Sequence, residues 1–190
     1  MADKVYIHYG STKFDPELIK PFDYYELGHI SSSVKPPFYS GLWGSPVDSE
    51  NSWKAWNDST EYSECDDNNT FRFRVKDGFK ILMIDSPESA ISLVENYLTV
   101  DYVRLRFGVE KQIDPDSDVL EEKLQCIDFI RHGSMFEWRS IRKLDFIKMQ
   151  NDGYAGMEIS LTAFPKLYYL LYRWDCDSIV VWNPDAIEKV

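Results

Sequence analysis

Cysteine, positive charge and long apolar runs are all scarce in this chain of 190 residues. Its three cysteines, Cys65, Cys126 and Cys176, form no CxxC pair and show no metal-ligand spacing to His8, His29 or His132. No disulfide framework and no metal site are therefore expected, and the odd count suits a reducing cytoplasm. No apolar run approaches the roughly 18 residues of a membrane span. The opening Met-Ala-Asp-Lys-Val leads into no apolar h-region, so no signal peptide is expected either. Lysine and arginine total 21 against 32 aspartates and glutamates, a formal net charge of −11. Phosphate affinity comes from clustered cations, so non-specific nucleic-acid binding and adhesion to anionic membranes are excluded. Missing too are GxSxG, the P-loop, GxGxxG, HExxH and the EF-hand loop, which removes the common hydrolase, NTPase, metalloprotease and calcium-binding readings.

What remains is an ordinary globular composition, 44% hydrophobic and 28% charged, enough for one core and one domain over residues 1–190. Aromatic residues reach 15%. Most belong in a core, and the surplus suits a binding cleft. Lys4 to Tyr9 reads as a first strand. Residues 14–38 lack periodicity and read as a long loop, in which Lys20 and Lys35, with Lys13 before it, are available to a pyrophosphate. "GLWGSP" at 41–46 reads as a short strand, and "DSENSWKAWNDS" as a helix capped by Ser49 with Trp53 and Trp56 on one face. "TFRFRVKDGFKILMID" alternates through Phe71, Phe73 and Val75, turns at Asp77-Gly78 and resumes as an apolar run, which predicts a hairpin. A helix over 86–98, a strand over 102–109, helices before Gly133 and Asn151, and strands over 154–160 and 178–182 complete an α+β pattern with a mostly antiparallel sheet.

Four stretches carry candidate chemistry. His8-Tyr9-Gly10-Ser11 ends the first strand, and alternation allows only one of His8 and Tyr9 to face a given cleft. In 41–45, two glycines permit close backbone approach and Trp43 offers a flat face. "GYAGME" at 153–158 enters a strand with Glu158. "DCDS" at 175–178 places Asp175 and Asp177 before the last strand. Each also has a plainer role: a structural histidine, core tryptophans, a helix stop at Gly153 and a solvated acidic edge.

In their order along nearly the whole chain, "IHYGS", "GLWGS", "FRFRVKDGFKILMID", "GYAGM" and "DSIVVWNPDAI" resemble the ADP-ribosyltransferase superfamily, in its toxin-like and phage-borne branch. The chain also resembles a group of small bacterial and phage proteins with a "HYGS…GLW.SP…SW..W" pattern. The superfamily resemblance implies an α+β fold with a split, mostly antiparallel sheet and flanking helices, and NAD held in the cleft between the half-sheets. It implies ribose contacts from His8 or Tyr9 beside Gly10, phosphate or ribose contacts from Ser11 and Ser45, and packing of Trp43 or Tyr9 on nicotinamide. A carboxylate would stabilise the oxocarbenium-like transition state as nicotinamide leaves. Asp177 falls where the family carries its glutamate, with Glu158 and Asp175 as the other carboxylates available. The expected function is transfer of ADP-ribose from NAD to a protein or nucleic-acid target in a toxin, phage or anti-defence setting. The alternative is a non-enzymatic acidic inhibitor or nucleotide-binding protein that blocks a basic host factor.

Overall fold

The computed structural model describes residues 4–19, 41–62, 65–99, 115–133, 144–171 and 174–190. Its strands are β1 (Tyr6–Tyr9), β2 (Leu42–Pro46), β3 (Thr70–Val75), β4 (Lys80–Ile84), β5 (Tyr154–Ile159), β6 (Ser178–Val181) and β7 (Ile187–Lys189). The helices are α1 (Trp53–Thr60), α2 (Pro87–Tyr97), α3 (Pro115–His132), α4 (Phe146–Asn151) and α5 (Leu167–Leu170). One seven-stranded sheet runs β4-β5-β6-β2-β1-β3-β7. Every neighbouring pair is antiparallel except β4 with β5. The protein is α+β, and no helix among the described residues is long and apolar enough to cross a membrane.

Local chemistry sets several boundaries. Ser86 caps α2 in a reciprocal box with Ser89, and Pro87 stands at the first helical position, where its missing N–H costs nothing. Gly133 ends α3 with φ of +67°, a left-handed stop. α1 is capped by Ser52 rather than by the expected Ser49, whose hydroxyl is used elsewhere.

The expected hairpin does not form. Gly78 turns the chain at φ +89°, but β3 joins β1 and β7, while β4 lies at the far edge of the sheet. β4 pairs in parallel with β5, which requires a crossover, and the chain between them supplies α2, α3 and α4. The last expected strand is not the last. After Asn183 caps a short 3-10 turn at Pro184–Ala186, β7 pairs with β3. The expected strand at 102–109 lies outside the described residues. So do Lys20, Lys35 and most of the expected loop, whose residues 16–18 form a 3-10 turn.

Two apolar clusters cover the sheet. The larger joins Ile84, Met157, Ile159, Val180 and Trp182 to the helices, and the smaller gathers Tyr6, Phe71, Phe73, Ile179, Val181 and Ile187 on the opposite face. An extra residue, Ala155, separates them in β5: Lys80 pairs with Tyr154, but Ile81 pairs with Gly156. This bulge moves the side chains after it to the other face. Gly156 then runs so close to β6 that a Cβ there would stand 2.5 Å from the Val180 carbonyl oxygen. Gly156→Ala is therefore expected to destabilise the fold by about 1–3 kcal/mol, as overpacking does, read as a lowered midpoint in urea denaturation.

Candidate functional site

β1 is bonded along its full length to β3 but only partly to β2. Tyr6, Ile7, His8 and Tyr9 pair with Phe73, Arg72, Phe71 and Thr70, whereas only Tyr6 and Ile7 pair with β2, at Pro46 and Ser45. Leu42, Trp43 and Gly44 pair instead with β6. The sheet is thus divided between His8-Tyr9-Gly10 on one side and Leu42-Trp43-Gly44 on the other.

A side-chain bond stands where the ladder would continue. In an antiparallel ladder every second residue exchanges both backbone bonds with its neighbour. Val47 N–H donates to Val5 O at 3.1 Å, so the alternation runs through Ile7–Ser45 and would next reach Tyr9–Trp43. There, Trp43 O accepts from His8 Nδ1 at 2.8 Å instead. A carbonyl only accepts, so the neutral imidazole carries its proton on Nδ1 and presents a lone pair on Nε2. Burial lowers the His8 pKa, and the Trp43 bond opposes that only in part. The ring also packs on Phe71, with centroids 5.1 Å apart.

Tyr9 turns the other way, towards α1, where burial raises its phenol pKa, with Asp67 adding to the effect. The half-buried Trp43 packs on buried Trp174 at 4.6 Å between centroids. Ser45 is buried, and its hydroxyl accepts from Trp53 N–H at 2.9 Å, which fixes the start of α1 to β2. The Ser11 hydroxyl donates to Lys13 O at 2.7 Å, closing the turn after Gly10, which adopts φ of +109°.

The three candidate carboxylates occupy different settings. Asp177 is buried and accepts from Ser49 Oγ at 2.8 Å, Thr162 Oγ1 at 2.8 Å and Thr162 N–H at 3.0 Å. Its own N–H reaches Asn51 O, so it ties together two loops and the start of β6. Gly44 pairs with Ile179, which puts Asp177 towards the Pro46 end of β2, while Ser11 lies beyond the opposite end. The two are not brought together. Glu158 is 1% exposed and is met by Lys4 Nζ at 2.5 Å and Tyr6 hydroxyl at 2.7 Å. Its partners on β1 are thus Lys4 and Tyr6, not His8 or Tyr9. Burial, reinforced by the Glu158 charge, pushes the Tyr6 phenol well above the usual range and keeps it a donor. Asp175 is half-buried, follows Trp174 directly and makes no hydrogen bond among the described residues.

Of the expected site, then, His8, Trp43 and the backbone of Tyr9 and Gly10 border the split, while the Tyr9 ring turns towards α1 and Asp175 follows Trp174, which packs on Trp43. Ser45 and Asp177 are held in structural bonds. Sequence reasoning missed Lys4 and Tyr6 as the partners of Glu158. The alternation that placed one β1 side chain against a carboxylate applies equally to Tyr6 and His8, which share a face. No family model matches the chain, and no curated protein and no solved structure matches it.

Two outcomes follow from this geometry. Asp177→Ala leaves two hydroxyls and one N–H without their acceptor and is expected to cost about 3 kcal/mol in denaturant unfolding; Asp177→Asn, which keeps a carbonyl for Thr162 N–H, costs less. For His8, the folded pKa lies below the unfolded value of about 6.5, so below that pH the unfolded state binds more protons. Stability falls as pH falls through this range. His8→Gln keeps a donor for Trp43 O and removes the titration, and is expected to flatten the slope between about pH 5 and 7 by up to about 1.4 kcal/mol per pH unit.

Proposed function

We propose that the split between β1 and β2 binds NAD or a related nucleotide, and that the protein is a transferase of the ADP-ribosyltransferase type acting on a macromolecular target. The observation that supports this is the interruption of the β1–β2 ladder at His8 and Trp43. A sheet that stops pairing in its middle presents unladdered backbone and ring faces together, which suits a planar carboxamide such as nicotinamide. Tyr9 N–H is directed into the gap, since the oxygen it would meet in a continued ladder is taken by His8. Trp43 lines the other side and offers a face for stacking. In this reading, orientation of the ligand rests on these neutral donors and rings.

The transfer itself needs an ionised carboxylate near the nicotinamide ribose, where positive charge develops as the glycosidic bond breaks. Asp177 and Glu158 are committed to buried bonds. Asp175 follows the tryptophan that touches Trp43, and we assign the role to it. Asp175→Asn is expected to leave nucleotide affinity within a few-fold of wild type and to lower nicotinamide release by about 10²–10³. The measurement is nicotinamide release from NAD with calorimetric titration of NAD on both proteins. Equal release by wild type and Asp175→Asn moves the role to another carboxylate. Binding without release by wild type favours a nucleotide-binding protein that does no chemistry.

A further inference from the structure

The two edges of the sheet differ. β7 is three residues long, carries Glu188 and Lys189, and has its Ile187 N–H taken by Pro184 O. Short length and charge are the means by which natural sheets blunt an edge. β4 is five residues long, and Ile81 to Ile84 is apolar without interruption.

The register with β5 fixes which way the backbone of β4 points. Ser160 N–H donates to Ile84 O at 3.0 Å, and Ile84 stands opposite Ile159. In a parallel ladder this directs both backbone groups of Ile84, and of Leu82 two residues before it, towards β5. Ile81 and Met83 therefore direct their N–H and C=O outwards. None of these four groups has a hydrogen-bond partner among the described residues. The free run is closed at both ends, because Asp85 N–H donates to Ser89 Oγ at 3.0 Å and Phe79 N–H donates to Lys76 O. Met83 is 37% exposed, and Ile81 and Leu82 are only half-buried.

A strand that pairs here must match those four groups, and β4 itself does. Set antiparallel about a two-fold axis through Leu82, Ile81 of one copy lies opposite Met83 of the other, and each such pair exchanges two bonds. All four free groups of each copy are then used. An axis at Ile81 or at Met83 instead sets one of these residues opposite Phe79 or Asp85, whose N–H is already bonded. The side chains agree with the Leu82 axis. Leu82 meets Leu82, Ile81 meets Met83 and Lys80 meets Ile84, so no like charges stand opposite one another.

We infer that the β4 edge pairs with the β4 edge of a second copy of this chain, antiparallel about Leu82, and joins two sheets into one. β5 and β6 stand between this edge and the split, and the inference does not rest on the nucleotide reading. The interface is small and belongs to the weak class, and two chains of net charge −11 repel each other. Dimers are thus expected at about 100 μM chain, and pairing tightens as salt screens the repulsion.

The test is sedimentation velocity of the whole protein between about 10 μM and 1 mM. The expected result is a concentration-dependent shift from monomer to dimer, larger at about 0.5 M than at about 0.1 M salt. Met83→Pro removes an N–H that the monomer does not use, and should keep the circular dichroism and abolish the shift. Met83→Lys leaves the backbone intact and lowers the net charge, yet should weaken association by roughly tenfold or more, as a charge on an edge does. Leu82→Cys should give a disulfide-linked dimer on mild oxidation, absent in wild type, because such an antiparallel pair stands about 4.5 Å apart between Cα atoms. A monomer throughout the range overturns the inference, as does a dimer that both Met83 variants leave intact or that weakens with salt. Crosslinking by Met83→Cys in preference to Leu82→Cys overturns the register.

Discussion

Two residue pairs hold the halves of this sheet together. Tyr6 opposite Pro46 and Ile7 opposite Ser45, with the Val47–Val5 backbone bond behind them, are the whole ladder between β1 and β2. On one side of that junction stand β3 and β7, and on the other β6, β5 and β4. Pro46 helps to explain where pairing on the other side of β2 stops. The backbone of Ser45 points to β1, so that of Pro46 points towards β6, and proline has no N–H to give there. Pairing of β2 with β6 stops at Gly44–Ile179, and the chain before Ile179 turns away into the loop that Asp177 anchors. At the other end His8 takes the oxygen that would continue the ladder. The split between β1 and β2 therefore begins at one side chain, His8, at a fixed position in sequence.

Electrostatics strengthen the same junction on the face that Tyr6 and His8 share. The Glu158 carboxylate on β5 receives Tyr6 from β1, reaching across β6 and β2, and Lys4 from the segment just before β1. This is a long-range tie between the half-sheets at the end where they are joined, not where they part. Breaking one partner of a buried charge leaves the other uncompensated, which costs more than the net worth of the pair. Glu158 is thereby a clasp. Its position among the residues that resemble a catalytic motif came from its place in the chain, which does not report what meets a side chain in space.

Much of the fold was legible because it is written in local chemistry. The Ser86-Pro87 start of α2, the Gly133 stop and the alternation of β3 are short-range signals, and they appear where the sequence puts them. What was illegible depends on pairing between distant segments. Asp77-Gly78 is a true turn, yet the sequence on either side of it cannot say whether the two strands meet each other or separate to opposite edges. β7 has three residues, only one of them buried, too few to show a period. Ser49 and Ser52 are equivalent as helix caps on paper; the difference is that Asp177, 128 residues away, draws Ser49 to itself. For the site, His8, Tyr9, Gly10 and Trp43 were legible as polar and flat groups at strand ends. That His8 would sit in the backbone ladder of a neighbouring strand was not, since it depends on the register of β1 against β2.

The face that Glu158 occupies depends in turn on a single extra residue. With the bulge at Ala155, Gly156 and Glu158 share the face of Tyr6, while Met157 and Ile159 enter the helical core. Without it, the alternation set by Tyr154, which packs on the helical side, would carry Glu158 into that core among Leu93, Met149 and Leu167. A carboxylate there would have no partner and would not remain ionised. Trp182 and Asn183 both donate to the Ala155 carbonyl, at 2.9 Å and 3.2 Å, so the bulge is held by the chain that follows β6. The sequence from Val180 to Asn183 thus fixes the bulge, the bulge fixes the face of Glu158, and Glu158 clasps the two half-sheets where they join. The opening at His8 and Trp43 can then exist without the sheet coming apart, because the bonds missing there are replaced at the other end of the same strands.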